Sequence, residues 1–388
     1  MPLKDQFTKA VQQVEELSAR KRMWVPGVEW LGTEGTIVTD SVKGDPEWSK
    51  ILEAWDLNPD EFQIIEPVLF NSWGGPDGLL NRQFKAKVVR RTHAAVDLEP
   101  LISAALRHKP SKKQFTGEDC LTVVLADWQM GKSDHDGVEG TIRRVIDARD
   151  AVIVRVKELR KMGRKVSSLN VLWTGDSIEG CVGFYPSQTF SVELDRRDQV
   201  KVTRRLLTDS LQEWSKHFDS ITVAAVAGNH GENRNSSGKS YTGVQDNDDL
   251  AIIEQVSEIL GANPDAFGHV KFVVAKDALT LTIPVAGWII GITHGHVARS
   301  GAGAEAKLHR WWEGQAAGRQ PIGDSDILVT GHYHHLRMAD WGSCVWLQAP
   351  ALESGSEWWR VATGQVAQVG MLTFVTTEAQ RVTDLAIL

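Results

Sequence analysis

At 388 residues the chain is long for one compact domain and ordinary for two. Apolar content of 42% and charged content of 24% match soluble globular proteins and exclude a mostly disordered or fibrous chain. A net charge of −7 excludes strong attraction of the whole molecule to nucleic acid, and three scattered cysteines, Cys120, Cys181 and Cys344, exclude a disulfide framework or a thiolate zinc site.

The amino-terminal text MPLKDQFTKAVQQ has no apolar signal-peptide core, and no run of about 18 apolar residues follows, so a cytoplasmic protein without a membrane partner is expected. A helical pattern covers Leu3 to Met23. A second helix is signalled by Asp45 as N-cap, Pro46 in the first turn and a WxxILxxW apolar face. Strand patterns over Phe62–Phe70 and Gln83–Val89 flank the turn-forming Gly74–Gly78 stretch, giving a small α+β module over 1–113. From Arg82 to Lys113 nine Lys and Arg (Arg82, Lys85, Lys87, Arg90, Arg91, Arg107, Lys109, Lys112, Lys113) face only Asp97 and Glu99, a local positive excess that could touch phosphates or form a solvated ribbon. The polar, basic text around 102–119 reads as a linker.

From 119 to 388 strands and helices alternate, predicting a layered α/β domain. Strands are expected at 121–126, 168–174, 221–226, 270–275, 280–284, 287–293, 326–330, 344–349 and 371–376, and helices over about 139–162 and 196–216. The stretch 232–249 reads as a long polar loop of the kind that is functional or disordered.

Five of these strands end in oxygen or imidazole donors: Asp127-Trp128-Gln129, Gly175-Asp176-Ser-Ile-Glu179, Gly228-Asn229-His230-Gly-Glu232, His294-Gly-His296 and Gly331-His332-Tyr-His334-His335. Ligands bind outside the carboxyl ends of strands in open α/β sheets, so these clusters can converge. Six of the twelve histidines fall in three of them, which scattered core histidines would not do. A carboxylate, amide and imidazole set without thiolate suits Mn²⁺, Fe or Zn²⁺. Taken singly, GD and GNH can be turns and HxH a surface pair; their order and shared position at strand ends favour a metal site.

That order, D-x-Q, GD-x-x-E, GNHGE, HGH, GH-x-H, resembles the calcineurin-like metallophosphoesterase superfamily over about residues 119–376. The resemblance implies a four-layer α/β/β/α sandwich with a site at its edge. It implies two divalent ions, Mn first, with Fe, Zn, Ni or Mg as alternatives. Asp176 would bridge them, with Asp127, Gln129 and His334 around one and Asn229, His294 and His332 around the other. A metal-bridging hydroxide would attack phosphorus, and His230 would be the catalytic residue that is not a ligand. Gln129 departs from the family's usual histidine, so the first ion is expected to bind more weakly.

Within the superfamily the chain resembles the Mre11 and SbcD nuclease branch and phage-encoded relatives with a short amino-terminal extension, in which case it would work in the host cytoplasm. A DNA nuclease is the leading expectation. A phosphodiesterase for cyclic nucleotides or dinucleotides is the alternative, and a degenerate binding module that lost its first ion is the third reading. Arg234, Lys239, His296 and Trp128 are the candidate substrate contacts. Trp311-Trp312 and Trp358-Trp359 could stack on bases, although most of the fifteen tryptophans are expected in the core.

Overall fold

The computed structural model describes residues 24–31, 34–59, 62–74, 80–90, 98–111, 114–185, 188–235, 237–275, 278–298, 303–355, 360–361, 364 and 366–388. The helix expected over 3–23 and the Trp358-Trp359 pair lie outside them. The chain divides into two compact units, Met1–Ala95 and Val96–Leu388.

In the first unit, β1 (Gly27–Leu31), β2 (Glu34–Val38), β3 (Val42–Lys43), β4 (Phe62–Gly74) and β5 (Leu80–Arg90) form one antiparallel sheet, and α1 (Trp48–Ala54) packs on it. Ile37, Ala86 and Val88 meet Leu52 and Leu57 in its core. The expected helix and hairpin are both present. Glu47, not Asp45, stands at the N-cap, because Asp45 instead accepts from Arg82 Nη1 at 3.0 Å. The strands β1 to β3 were not foreseen.

The second unit opens earlier than the expected linker. Helix α2 (Leu98–Arg107) carries apolar residues at three- and four-residue spacing, and Leu101 and Ala105 are fully buried in the main core. Asn263 fastens its end, donating from Nδ2 to Ala105 O at 2.9 Å and His108 O at 3.0 Å. The basic stretch is therefore no single ribbon. Arg82, Lys85 and Lys87 lie on β5 of the first unit, and Arg107 lies on α2 of the second.

In chain order there follow β6 (Asp119–Leu125), α3 (Gly137–Lys161), β7 (Val166–Trp173), α4 (Arg196–Trp214), β8 (Ser220–Ala225), α5 (Asp248–Gly261), α6 (Pro264–Phe267), β9 (Val270–Val274), β10 (Thr280–Val285) and β11 (Trp288–Thr293). The remainder is α7 (Ala304–Ala317), β12 (Ile327–Thr330), β13 (Arg337–Asp340), β14 (Val345–Gln348), β15 (Leu372–Thr376) and β16 (Thr383–Ile387). One sheet runs β16-β15-β6-β7-β8-β9, parallel from β6 to β9; the other runs β10-β11-β12-β14-β13, parallel through β11, β12 and β14.

Period-two alternation assigns the faces. Val124, Leu172, Ala224 and Phe374 meet Ile283, Ile292, Val329 and Leu347 between the sheets. Val123, Val171 and Val223 face the opposite way, onto Val152 of α3, Leu211 of α4 and Val256 of α5. Beyond the other sheet, Leu328 and Trp346 pack under Leu308 and Trp312 of α7. The second unit is thus a four-layer α/β/β/α sandwich. Each fully buried Leu or Val contributes about 1.5–3 kcal/mol, which fixes the strand ends that carry the donors. Among the described residues, no helix is long and apolar enough to cross a membrane.

Candidate metal centre

The donors follow β6, β7, β8, β11 and β12. Each of these is a parallel member of its sheet, so their carboxyl ends lie along one edge. Glycines precede three donors for a packing reason. A Cβ on Gly228 would collide with Asp176 Oδ1, and one on Gly175 with the Gly228 backbone. At Gly331 a Cβ would stand 2.6 Å from Asp127 Oδ2. The backbone after each strand also bends sharply: Asp127, Gln129, Asp176, His332 and His334 have φ of 50°, 39°, 54°, 73° and 57°. For non-glycine residues this left-handed region costs about 1–2 kcal/mol each. Half of the ten such residues among those described are candidate donors.

One cluster is composed of acceptors. Asp176 Oδ2 lies 2.9 Å from His294 Nε2, which is also 3.1 Å from Asn229 Oδ1 and 3.1 Å from His332 Nδ1. His294 Nδ1 donates its proton to the carbonyl of Thr174 at 2.9 Å, which turns the Nε2 lone pair toward the others. Asp176, His294 and His332 form the one group of carboxylate and imidazole donors within mutual ligand distance among the described residues. Acceptors crowded together in a buried site suit a cation, and a divalent ion fits this donor set.

A proton on His294 Nε2, donated to Asp176, offsets the same crowding of acceptors, and an ion would displace it. Burial would raise the Asp176 carboxyl, but His294, His230 and His332 together hold it well below the usual range. Burial pulls His294 down while Asp176 lifts it further, to about 9. His332, desolvated and beside His294, falls to about 2.

Asp249, at the start of α5, ties this cluster to the scaffold, although in the sequence it closes the polar stretch 232–249. Its Oδ2 accepts from the backbone N–H of Asp176 at 3.0 Å and Gly228 at 2.8 Å; its Oδ1 accepts from Ser177 N at 2.9 Å and Ser177 Oγ at 2.5 Å. The polar loop ends at Asn247, the N-cap of α5, whose Oδ1 accepts from Asp249 N and whose Nδ2 donates to Gly228 O.

The second cluster is differently composed. His334 Nε2 lies 3.2 Å from Asp127 Oδ1, while its Nδ1 donates to Glu353 Oε1 at 2.8 Å. Asp127 is fully buried, with Oδ1 against His334 Nε2 and Oδ2 accepting from the His332 backbone N–H at 2.9 Å. Gln129 Oε1 accepts from Lys132 Nζ at 3.3 Å, and the same ammonium reaches Glu353 Oε2 at 3.0 Å. Burial would raise Glu353, but His334 and Lys132 bring it down to about 2; His334 rises to about 10 through Asp127 and Glu353 despite burial. Neither Lys132 nor Glu353 belongs to a motif, and sequence reasoning passed over both.

His230 sits beside the first cluster. Its backbone N–H donates to Asp176 Oδ1 at 2.7 Å, and its Nδ1 donates to Glu179 O at 2.8 Å, leaving Nε2 on the cluster side, 4.0 Å from Asp176 Oδ2. Phe184 stacks on the ring at 4.1 Å and 4°, and the guanidinium of Arg234 lies 4.2 Å from the Phe184 ring centroid. Arg234 also pairs with Glu232 at 2.9 Å. His296 adjoins the cluster, 5.3 Å from His294 ring to ring, and burial together with His294 lowers it to about 4. Lys239 is exposed on the loop after His230. Trp128 differs from expectation. It is 1% exposed and packs edge-on against Trp173 at 5.2 Å, so it faces the core and offers no ring to a substrate.

No family model and no curated protein matches this sequence. Solved structures do, at low identity. A protein described as a predicted phosphoesterase from Streptococcus pneumoniae is 15% identical, covering 70% of this chain and 99% of its own, with a TM-score of 0.29. An archaeal phosphodiesterase is 12% identical over 69% of this chain and 99% of its own, with a TM-score of 0.31, and Vacuolar Protein Sorting 29 from Cryptosporidium parvum is 13% identical over 70% and 98%, with a TM-score of 0.28.

Proposed function

We propose that the chain is a metal-dependent phosphoesterase that hydrolyses phosphodiester bonds, with a nucleic acid as the substrate class. The observation carrying this reading is the acceptor cluster of Asp176, Asn229, His294 and His332 beside a histidine whose Nε2 faces it. A divalent ion there would supply Lewis acidity, lowering the pKa of water and neutralising phosphoryl charge. Manganese suits the mixed oxygen and imidazole donors.

The chain's own residues do the rest. Asp176 fixes the geometry, since one oxygen holds the His230 backbone while the other faces His294. The Glu179 carbonyl occupies the His230 Nδ1–H, so Nε2 is the ring atom that would face the leaving oxygen, and from the doubly protonated ring it would give that oxygen its proton, leaving the Nδ1–H imidazole. Phe184 holds that ring in plane, and Arg234, stacked on Phe184, would receive a non-bridging phosphate oxygen. The first unit, with Arg82, Lys85 and Lys87 on one strand, would serve as the accessory that holds a strand of nucleic acid. The protein would act in the cytoplasm.

The test is a substrate panel with Mn²⁺: bis-p-nitrophenyl phosphate, single- and double-stranded DNA, and cyclic nucleotides. Turnover of the first two, abolished in Asp176→Asn and cut in His230→Ala with metal content retained, is the expected result. Turnover of cyclic nucleotides alone would replace the nucleic-acid reading, and no turnover with Mn²⁺, Ni²⁺ or Co²⁺ would leave a binding module.

A further inference from the structure

The two donor clusters differ in one respect that the motif order conceals. Among the described residues, Asp176, His294, Asn229 and His332 contact one another, with no lysine or arginine in the cluster. A permanent cation borders the cluster of Asp127, Gln129 and His334, touching Gln129 and the Glu353 carboxylate that holds His334. Lys132 has a side chain only 11% exposed, and its Nζ stands 3.3 Å from Gln129 Oε1, 3.0 Å from Glu353 Oε2 and 3.7 Å from Asp134 Oδ2.

We infer that the Lys132 ammonium takes the place of the first metal ion, so that the chain binds a single divalent ion, at Asp176, Asn229, His294 and His332. The inference rests on the metal-centre reading above and departs from the two ions that the motif order implies.

Three observations support it. Gln129 offers a neutral amide oxygen, and that oxygen already accepts a charge-assisted hydrogen bond from Lys132. An ion sharing the same oxygen would sit against a fixed positive charge inside a largely buried site, where like charges are poorly screened. Glu353, which orients His334, divides its two oxygens between His334 and Lys132 and accepts from Gly355 N at 2.7 Å, so its orientation is set by the ammonium and the backbone. Finally, among the described residues Asp127 and His334 are the two charged or imidazole donors that meet there, whereas the other cluster brings three within mutual ligand distance. The sequence carries the compensation locally: glutamine at 129 and lysine at 132 sit one turn apart in DWQMGK.

The test counts ions. The full chain is stripped with chelator, equilibrated with Mn²⁺ and analysed by mass spectrometry of the metal and by electron paramagnetic resonance. One ion per chain with the spectrum of isolated Mn²⁺ is expected. The double variant Gln129→His, Lys132→Met should take up two, with an exchange-coupled spectrum, and Lys132→Gln serves in its place if the double variant does not fold. Two tightly held ions in the wild type would overturn the inference and leave the metal centre standing. No ion would overturn both. One ion in the wild type and still one in folded variants would remove Lys132 as the cause.

Discussion

Asp249 touches no candidate ligand side chain, yet the loops carrying Asp176 and Asn229 meet on its carboxylate. In Asp249→Ala the N–H groups of Asp176, Ser177 and Gly228 lose their acceptor in a site with no exposed surface at residue 249. Each buried donor left unpaired costs about 1–3 kcal/mol; with three affected and some water entering the space left by the carboxyl, the loss is about 3–6 kcal/mol. For a large domain one kcal/mol moves the melting temperature by about 2–4 °C, so a fall of about 6 °C or more is expected. Asp249→Asn keeps the volume but has one acceptor oxygen for donors on two sides, and should lie between Ala and wild type. Thermal unfolding followed by near-ultraviolet circular dichroism reads the effect, and Mn²⁺ titration of the folded protein should show weakened binding. A melting temperature for Asp249→Ala within about 2 °C of wild type, with unchanged metal affinity, would refute the reasoning.

Phe184→Ala removes the ring stacked on His230 and should lower turnover of bis-p-nitrophenyl phosphate roughly tenfold with metal content unchanged, as expected when a reacting group loses orientation; loss of metal would show a structural role instead. Glu353→Gln takes the carboxylate from both His334 and Lys132 and leaves a buried ammonium poorly matched, costing about 3 kcal/mol in denaturant unfolding. Equal stability of this variant and wild type would contradict the network described. Metal affinity should rise with pH. His294, held at about 9 by Asp176, must give up a proton to ligate. Protons therefore compete with the ion below that value, and affinity should climb about tenfold per pH unit from about pH 6 to pH 8. Calorimetry in buffers of different ionisation enthalpy measures the proton released; a pH-independent affinity with none released would contradict the assignment.

The strands of the second unit were legible because they are apolar runs of about four to eight residues, five of which run into a polar donor. The central pair, β6 and β7, fell within two residues of expectation. The helix over 98–107 was hidden by its setting, since LEPLISAALR is flanked by basic, proline-containing text that reads as linker. Helix α5 was missed because its N-cap, Asn247, ends a polar stretch and drew attention away from LAIIEQVSEIL behind it. Within the site, residues following strands could be foreseen from spacing alone. Asp249, Glu353, Lys132 and Phe184 could not, because their roles lie in hydrogen bonds and ring contacts between segments far apart in the chain. Trp128 shows the converse: adjacency to Asp127 and Gln129 in the text does not bring it to the site, because its ring packs into the core against Trp173.

The left-handed backbone at Asp127, Gln129, Asp176, His332 and His334 sets chemistry against thermal robustness. A glycine at any of these positions would relax the main chain while deleting a donor. A library of variants selected only for survival on heating should therefore drift toward glycine and asparagine at the sheet edge. Heat tolerance would then increase as the metal centre was lost, and a thermostabilised form of this protein would need its ligands protected by design.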